Sequence, residues 1–390
     1  MGFDFDSIIE RKNTDSIKYD FSSQRGMPDG LLPLWVADMD FKAPPCVVDA
    51  LVEKSRHGIF GYSESGDEYF EAVRNWFAGN FGWSPKRGWL VKTPGIVYAI
   101  CTAIKSLTQE GDAVLIQQPV YYPFMESILS NRRKLVVNQL VYSQGQYGID
   151  FEDFENQIIR HGVKLFILCS PHNPVGRVWT KEELLKLGNI CHRYGVVVVS
   201  DEIHADFTFP GHAHTVFASL NPVFEDLCIT CTAPSKTFNL AGLQISNIFI
   251  KNAQIRNAFR EETRRSGYSQ LNIMGMVACR AAYEQGGDWL NELRAYLSQN
   301  LAFLRSFLAQ RLPLIRLVEP QGTYLVWLDC KALGLGDADL NRLIVHKAGL
   351  WLDGGTMFGA GGEGFQRINI ACPRSVLEKA LIQLEKAVKE

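Results

Sequence analysis

Four side chains in three short stretches of this sequence have the types and surroundings that chemistry needs. They are Lys236 in APSKTFNLAG (233–242), Asn173 in SPHNPVGR (170–177), and Asp201 with His204 in VVVVSDEIHAD (196–206). Lys236 follows an apolar run and stands between Ser235 and Thr237, where a strand gives way to a tight turn. Such a place holds a flexible amine near backbone N–H groups and partly dry, as a Schiff-base lysine requires. Asp201 ends a run of valines, where a buried carboxylate without a partner is costly. It reads either as a helix cap or ion-pair member, or as the group that keeps a heterocyclic nitrogen protonated. Asn173, between Pro171 and Pro174, reads as an Asx turn or as a donor to a phenolic oxygen. His204 reads as a core histidine or a second contact to that oxygen.

Other residues are weaker candidates. Arg367, in the strand pattern QRINIA, suits the core only if paired, and otherwise suits bidentate capture of a carboxylate. Thr93-Pro94-Gly95 leads into a helix, so Gly95, Ile96 and Val97 offer unpaired N–H groups where a phosphate can sit. Tyr121, Tyr122 and Tyr62 fall in loops. Trp35, Asp38 and Asp40 crowd another loop, where turn and capping chemistry is the simpler reading. Cys228 and Cys231 form a C-x-x-C inside a buried strand with no second ligand pair, which favours packed thiols, and no metal is expected.

The elements around these residues alternate. DAVLIQQ, KLVVNQ, KLFILCS, VVVVS and LCITCTA read as strands, with helical patterns between several of them. That order predicts an α/β fold with a mainly parallel sheet covered on both faces. Ligands in such sheets bind at the carboxyl ends of the strands, which is where Asn173, Asp201, His204 and Lys236 all emerge. From about residue 285 the pattern changes to a long amphipathic helix, short strands, a glycine-rich loop at 353–364 expected to be mobile, and a closing helix. This predicts an arm at 1–50 that also supplies part of a small domain, a large domain at 51–285, and an α+β small domain at 286–390.

Bulk properties narrow the function. The 390 residues are 46% hydrophobic and 21% charged with a net charge of −2, so neither nucleic acid nor an anionic membrane is favoured as a partner. The nine scattered cysteines suit a reducing compartment. The acidic start lacks a secretory apolar region, and no run approaches the ~18 apolar residues of a membrane span. A soluble, cytoplasmic protein is expected.

Together SPHNPVGR, SDEIHAD and APSKTFNLAG resemble the fold type I pyridoxal 5′-phosphate enzymes, the aspartate-aminotransferase-like superfamily, along nearly the whole chain. WVADMDF, TPGIV and DEIHAD resemble its MalY/PatB branch of cystathionine β-lyases and cysteine C–S lyases. The resemblance implies pyridoxal phosphate as cofactor, with Lys236 as its Schiff-base lysine and later the base at Cα. Asp201 would pair with the ring nitrogen, Asn173 and His204 would face the ring hydroxyl oxygen, and Tyr121 would stack on the ring. Gly95, Ile96, Val97 and Ser235 would hold the phosphate, with Tyr62 reaching in from a second subunit of a homodimer. Arg367 would bind the substrate carboxylate, beside Asn173 and Tyr62.

Two positions depart from many aminotransferases. His204 replaces a tyrosine three residues after the aspartate, as in the lyase branch. Gln244 replaces an arginine eight residues after the lysine, which leaves the phosphate to hydroxyls, amides and the helix dipole. The implied activity is β-elimination at the C–S bond of L-cysteine-type amino acids, giving thiol or sulfide, pyruvate and ammonia. An aminotransferase shares every step up to the carbanion and is the alternative, as is a lyase with an added regulatory protein-binding role.

Overall fold

The computed structural model describes residues 2–390. Its main sheet has seven strands: β1 (Leu90–Thr93), β2 (Ala113–Gln118), β3 (Lys134–Gln139), β4 (Leu165–Cys169), β5 (Val197–Asp201), β6 (Cys228–Thr232) and β7 (Ser246–Ile250). They lie in the order β1-β7-β6-β5-β4-β2-β3. The pairs from β6 to β3 are all parallel, and only β7 runs against both of its neighbours. β2, β4 and β6 are buried at every position, because helices cover both sheet faces. Alternation along β2 feeds two cores: Leu115 packs in one with Phe166 and Val198, while Val114 and Ile116 pack in the other with Ile100 and Phe124.

Local signals set the elements that flank the site. Helix α1 (Ile96–Leu107) starts directly after Gly95, with no side chain capping its first N–H groups. Helix α2 (Lys181–Tyr194) opens on a reciprocal cap between Thr180 and Glu183 and stops at Gly195, whose φ of 67° suits glycine. The parallel register then sets the ends of three strands side by side, since Cys169 pairs with Asp201 and Asp201 with Cys231. The loops leaving those strands carry Asn173, His204 and Lys236.

A second, four-stranded sheet is built from β8 (Arg316–Leu317), β9 (Leu325–Asp329), β10 (Asp353–Gly354) and β11 (Phe365–Asn369) in the order β8-β9-β11-β10. The long helix α3 (Gly287–Arg311) precedes it. The glycine-rich stretch at 353–364 corrects the expectation of a mobile loop. A methyl group built on Gly355 would fall 1.9 Å from the Gly362 carbonyl oxygen, so these glycines permit two backbones to pack against each other. Among the described residues no helix is long and apolar enough to cross a membrane.

Candidate active site

The ends of β4, β5 and β6 open into a cavity of about 160 Å³ whose wall includes Asn173, Asp201, His204, Ser235 and Lys236. Tyr121 and the start of α1, at Gly95, Ile96 and Val97, complete it. Ten of the eleven residues singled out for cofactor or substrate are thus at the cavity or, like Arg367, bonded to its wall, since Arg367 Nη1 donates to Asn173 Oδ1 at 3.0 Å. Tyr62 is not among them. It is 94% exposed on the surface of the chain.

Asp201 is buried, and its Oδ1 accepts the N–H of Ile203 at 3.1 Å. Among the described residues no cation lies within ion-pair distance of it. Burial, and then the nearby Glu202, push its pKa up to about 7, against the Ile203 hydrogen bond and the charge of Lys236. A buried carboxylate lacking a positive partner fits a group that brings a protonated nitrogen. His204 is buried edge-on to Tyr324, 5.9 Å between ring centres, and its Nδ1 has no partner. Burial, with Lys236 and Arg367 nearby, lowers its pKa to about 3, so the imidazole is neutral.

Lys236 lines the cavity on one side and is enclosed by protein on the others. This burial is the main reason its pKa falls to about 8; Arg367 lowers it further, while Asp38 and Asp201 oppose the shift. Its Nζ donates to the carbonyl oxygen of Ala37 at 2.9 Å, and the Tyr324 hydroxyl donates to the same oxygen at 2.9 Å. Behind it, Thr237 donates to Asp206 at 2.7 Å.

The stretch from Trp35 to Phe41 reaches the cavity at Ala37 and is held from several sides. Asn369 Nδ2 donates to the carbonyls of Val36 and Asp38 at 2.8 and 2.7 Å. Asn239 Nδ2 donates to those of Met39 and Phe41, each at 3.0 Å. Asp38 and Asp40 are not the turn caps expected of them. Arg11 bridges the two at 2.6 and 2.8 Å, and the fully buried Lys18 reaches Asp40 at 2.8 Å. This cluster ties the N-terminal arm to the wall of the site.

Arg367 is buried and satisfied by the protein as well as poised for a ligand. Besides Asn173 it donates to the Trp35 carbonyl at 2.8 Å and pairs with the buried Asp353, while its Nε has no partner. Ala37, Asp353 and Tyr324 were not singled out in the sequence; only the crowding in WVADMDF pointed toward the first. Gln244 lines the cavity at a φ of 48°, a left-handed conformation rare outside glycine. Cys228 and Cys231 are both buried on β6.

The donor set fits pyridoxal phosphate. An amine, an unpaired buried carboxylate, an asparagine and an aromatic face surround one cavity, and uncapped helix N–H groups with the Ser235 hydroxyl stand at one edge.

Comparison with known proteins agrees with this donor set. Residues 30–384 match the family model described as aminotransferase class I and II. Cystathionine beta-lyase PatB of Bacillus subtilis (strain 168) is 43% identical over 384 residues, which cover 98% of this chain and 99% of that one. Among solved structures, cystalysin from Treponema denticola, which contains a pyridoxal 5′-phosphate cofactor, superposes with a TM-score of 0.96 at 38% identity, covering 100% of this chain and 99% of that one. The PLP-bound C–S lyase from Staphylococcus hominis superposes at 0.94 with 34% identity and the same coverage.

Proposed function

The chain belongs to the aminotransferase class I and II family, and we infer that within it the protein is a pyridoxal 5′-phosphate-dependent carbon–sulfur β-lyase of the cystathionine β-lyase type. Its substrates are L-cysteine-type amino acids, cystathionine and cysteine among them. The reaction takes a proton from Cα and a thiol or sulfide from Cβ; with one water, the remaining three carbons leave as pyruvate and the nitrogen as ammonia. Bound pyridoxal phosphate supplies a sink for the electron pair left at Cα.

The chain supplies position and proton handling. Lys236 would hold the cofactor through Nζ and, when that amine is free, would take the Cα proton on it. Its lowered pKa keeps part of the amine neutral near pH 8, as a base requires. Asp201 would keep the ring nitrogen protonated, and Asn173 and His204 would face the ring oxygen. Tyr121 would offer its aromatic face to the ring. The N–H groups of Gly95, Ile96 and Val97 would receive the phosphate with the Ser235 hydroxyl, and the positive end of α1 would substitute for the arginine absent at Gln244. Arg367, with Asn173 beside it, binds the α-carboxylate.

We propose a homodimer with shared sites, a reading that the exposed surface of the chain supports. Ile59, Phe60 and Tyr62 are 66%, 60% and 94% exposed, an apolar run suited to cover by a second copy whose phosphate Tyr62 then approaches. Residues 51–285 act as the cofactor-binding unit, with 286–390 and the 1–50 arm as the smaller one. A reducing cytoplasm is the setting that nine free cysteines suit.

The unpaired carboxylate of Asp201 facing Lys236 across one cavity carries the cofactor assignment, and the C–S lyase relatives carry the elimination. Purified protein loaded with pyridoxal phosphate tests both, using L-cystathionine or L-cysteine without any keto acid, beside Lys236→Ala. Pyruvate with free thiol or sulfide from wild type alone is the expected result. Bleaching of the cofactor to its amine form without pyruvate would replace the lyase with an aminotransferase.

A further inference from the structure

Tyr324 is fully buried and stands directly before β9, the strand whose Trp327 pairs in register with Arg367. Its ring is fixed edge-on to Phe207, 4.9 Å away between ring centres, and to His204 at 5.9 Å. Its hydroxyl donates to the Ala37 carbonyl oxygen at 2.9 Å, and among the described residues that is the hydroxyl's one hydrogen-bond partner. The same oxygen accepts from Lys236 Nζ, also at 2.9 Å. A carbonyl oxygen has two lone pairs, so each is taken here by one donor.

Two donors on one oxygen compete, because each draws electron density from it and weakens its hold on the other. The two are not alike. Burial, above all, holds the Tyr324 phenol well above its ordinary pKa, so it is a neutral donor throughout the neutral range. Lys236 donates either as an amine or as an ammonium, and a hydrogen bond to a carbonyl favours the ammonium. An amine that is to take a proton from Cα must first be neutral. With the lysine alone on it, the Ala37 oxygen would hold the charged form more tightly. The other groups that face the amine are Asp38 and Asp201, which favour its charge, Arg367, which opposes it, and the neutral His204 and Tyr121. Loss of one uncharged hydroxyl leaves the charges of all five as they are.

We propose that Tyr324 is a positioning residue for Lys236: on one lone pair of the Ala37 carbonyl it fixes the oxygen against which the amine rests, and it limits how tightly that oxygen retains the amine's extra proton. The inference rests on the reading of Lys236 as the base at Cα and adds a residue that does not border the cavity.

The test begins with Tyr324→Phe, which keeps the ring against Phe207 and His204. In the cofactor-free full-length chain, the pH midpoint for labelling Lys236 with an amine-selective reagent should rise by about half a pH unit or more, within the worth of one neutral hydrogen bond. A smaller rise, no change or a fall overturns the proposal. Loosening of the loop could also raise the midpoint by admitting water, so Tyr324→3-fluorotyrosine is the second variant. It retains the ring and donates more strongly, and its midpoint should fall below that of wild type. A midpoint that stays or rises reduces the hydroxyl to packing and overturns the proposal. In holoenzyme the acid limb of kcat for pyruvate release should move with the labelling midpoint in both variants, since kcat reports the base in the substrate complex; a limb that stays in place removes Tyr324 from turnover. If wild type releases no pyruvate, the lyase reading fails separately, and the labelling still decides on Tyr324.

Discussion

Lys236 Nζ and the Ala37 carbonyl oxygen are 2.9 Å apart, although the residues are separated by 199 positions. The contact joins the turn after β6 to a loop pinned by Asn369, Asn239 and the Arg11–Lys18 cluster. It fixes where the amine points, while burial sets its pKa.

The first prediction concerns that amine. In cofactor-free protein, labelling of Lys236 by an amine-selective reagent should rise with a midpoint near pH 8, against about 10.4 for exposed lysines. Asp38 favours the charged form, so Asp38→Asn should move the midpoint lower. Peptide mass spectrometry reads both; a midpoint near 10 in wild type would mean that the amine is not desolvated.

Asp201 has the opposite linkage to pH. Its folded pKa, about 7, is above the usual carboxylate value of 3.8, so the folded state holds the extra proton. Stability therefore falls as pH rises from about 4 to 7, and the full penalty is present above 7. Asp201→Asn should stabilise cofactor-free protein at pH 8 by roughly 1–3 kcal/mol and have little effect at pH 4. The same change should reduce turnover by about 100-fold or more, because the ring nitrogen loses the group that keeps it protonated. Chemical denaturation at the two pH values and pyruvate release check the two halves.

Much of this was legible in the chain itself, for a definite reason. Runs such as VVVVS and LFILC suit strands buried on both faces, and parallel register then obliges Asn173, Asp201 and Lys236 to emerge together. The helix end at Gly95 needed only its turn residues. What stayed hidden has no periodic signal. The Ala37 carbonyl is a backbone atom that any residue could have supplied, and the two asparagines that hold its loop, Asn239 and Asn369, lie some 200 to 330 positions away. The pairing of Arg367 with Asp353 was equally invisible, because a buried arginine and a ligand-binding one look alike until the partner is seen. The glycines at 353–364 suggested freedom of motion, yet Gly355 and Gly362 allow two backbones to touch. Tyr62, exposed on the surface, stands apart from this chain's cavity.

Arg367 makes a third case. Its fork spans Asn173, the Trp35 carbonyl and Asp353 at once, which a lysine's single ammonium cannot do. Arg367→Lys should raise KM for amino-acid substrates by roughly 10- to 100-fold, equivalent to about 1.4–2.8 kcal/mol of lost binding. Steady-state kinetics of pyruvate release measure it. A KM within twofold of wild type would remove Arg367 from carboxylate binding.

The last prediction tests whether the N-terminal arm supports the site. Lys18 is fully buried and lies 2.8 Å from Asp40. Arg11 stays on Asp40 at 2.8 Å when Lys18 is removed, so the cost falls below the about 3–5 kcal/mol typical of a buried charge left with no partner. Lys18→Met should therefore lower the urea midpoint, and Lys18→Met combined with Asp40→Asn should recover part of the loss, with Arg11 then left to Asp38. Since Asp40 belongs to the loop carrying Ala37, Lys18→Met should also shift the pH midpoint of Lys236 labelling. A midpoint shift in both urea and pH places the arm in the positioning of the lysine. A shift in urea alone makes it a stabilising strap and nothing more.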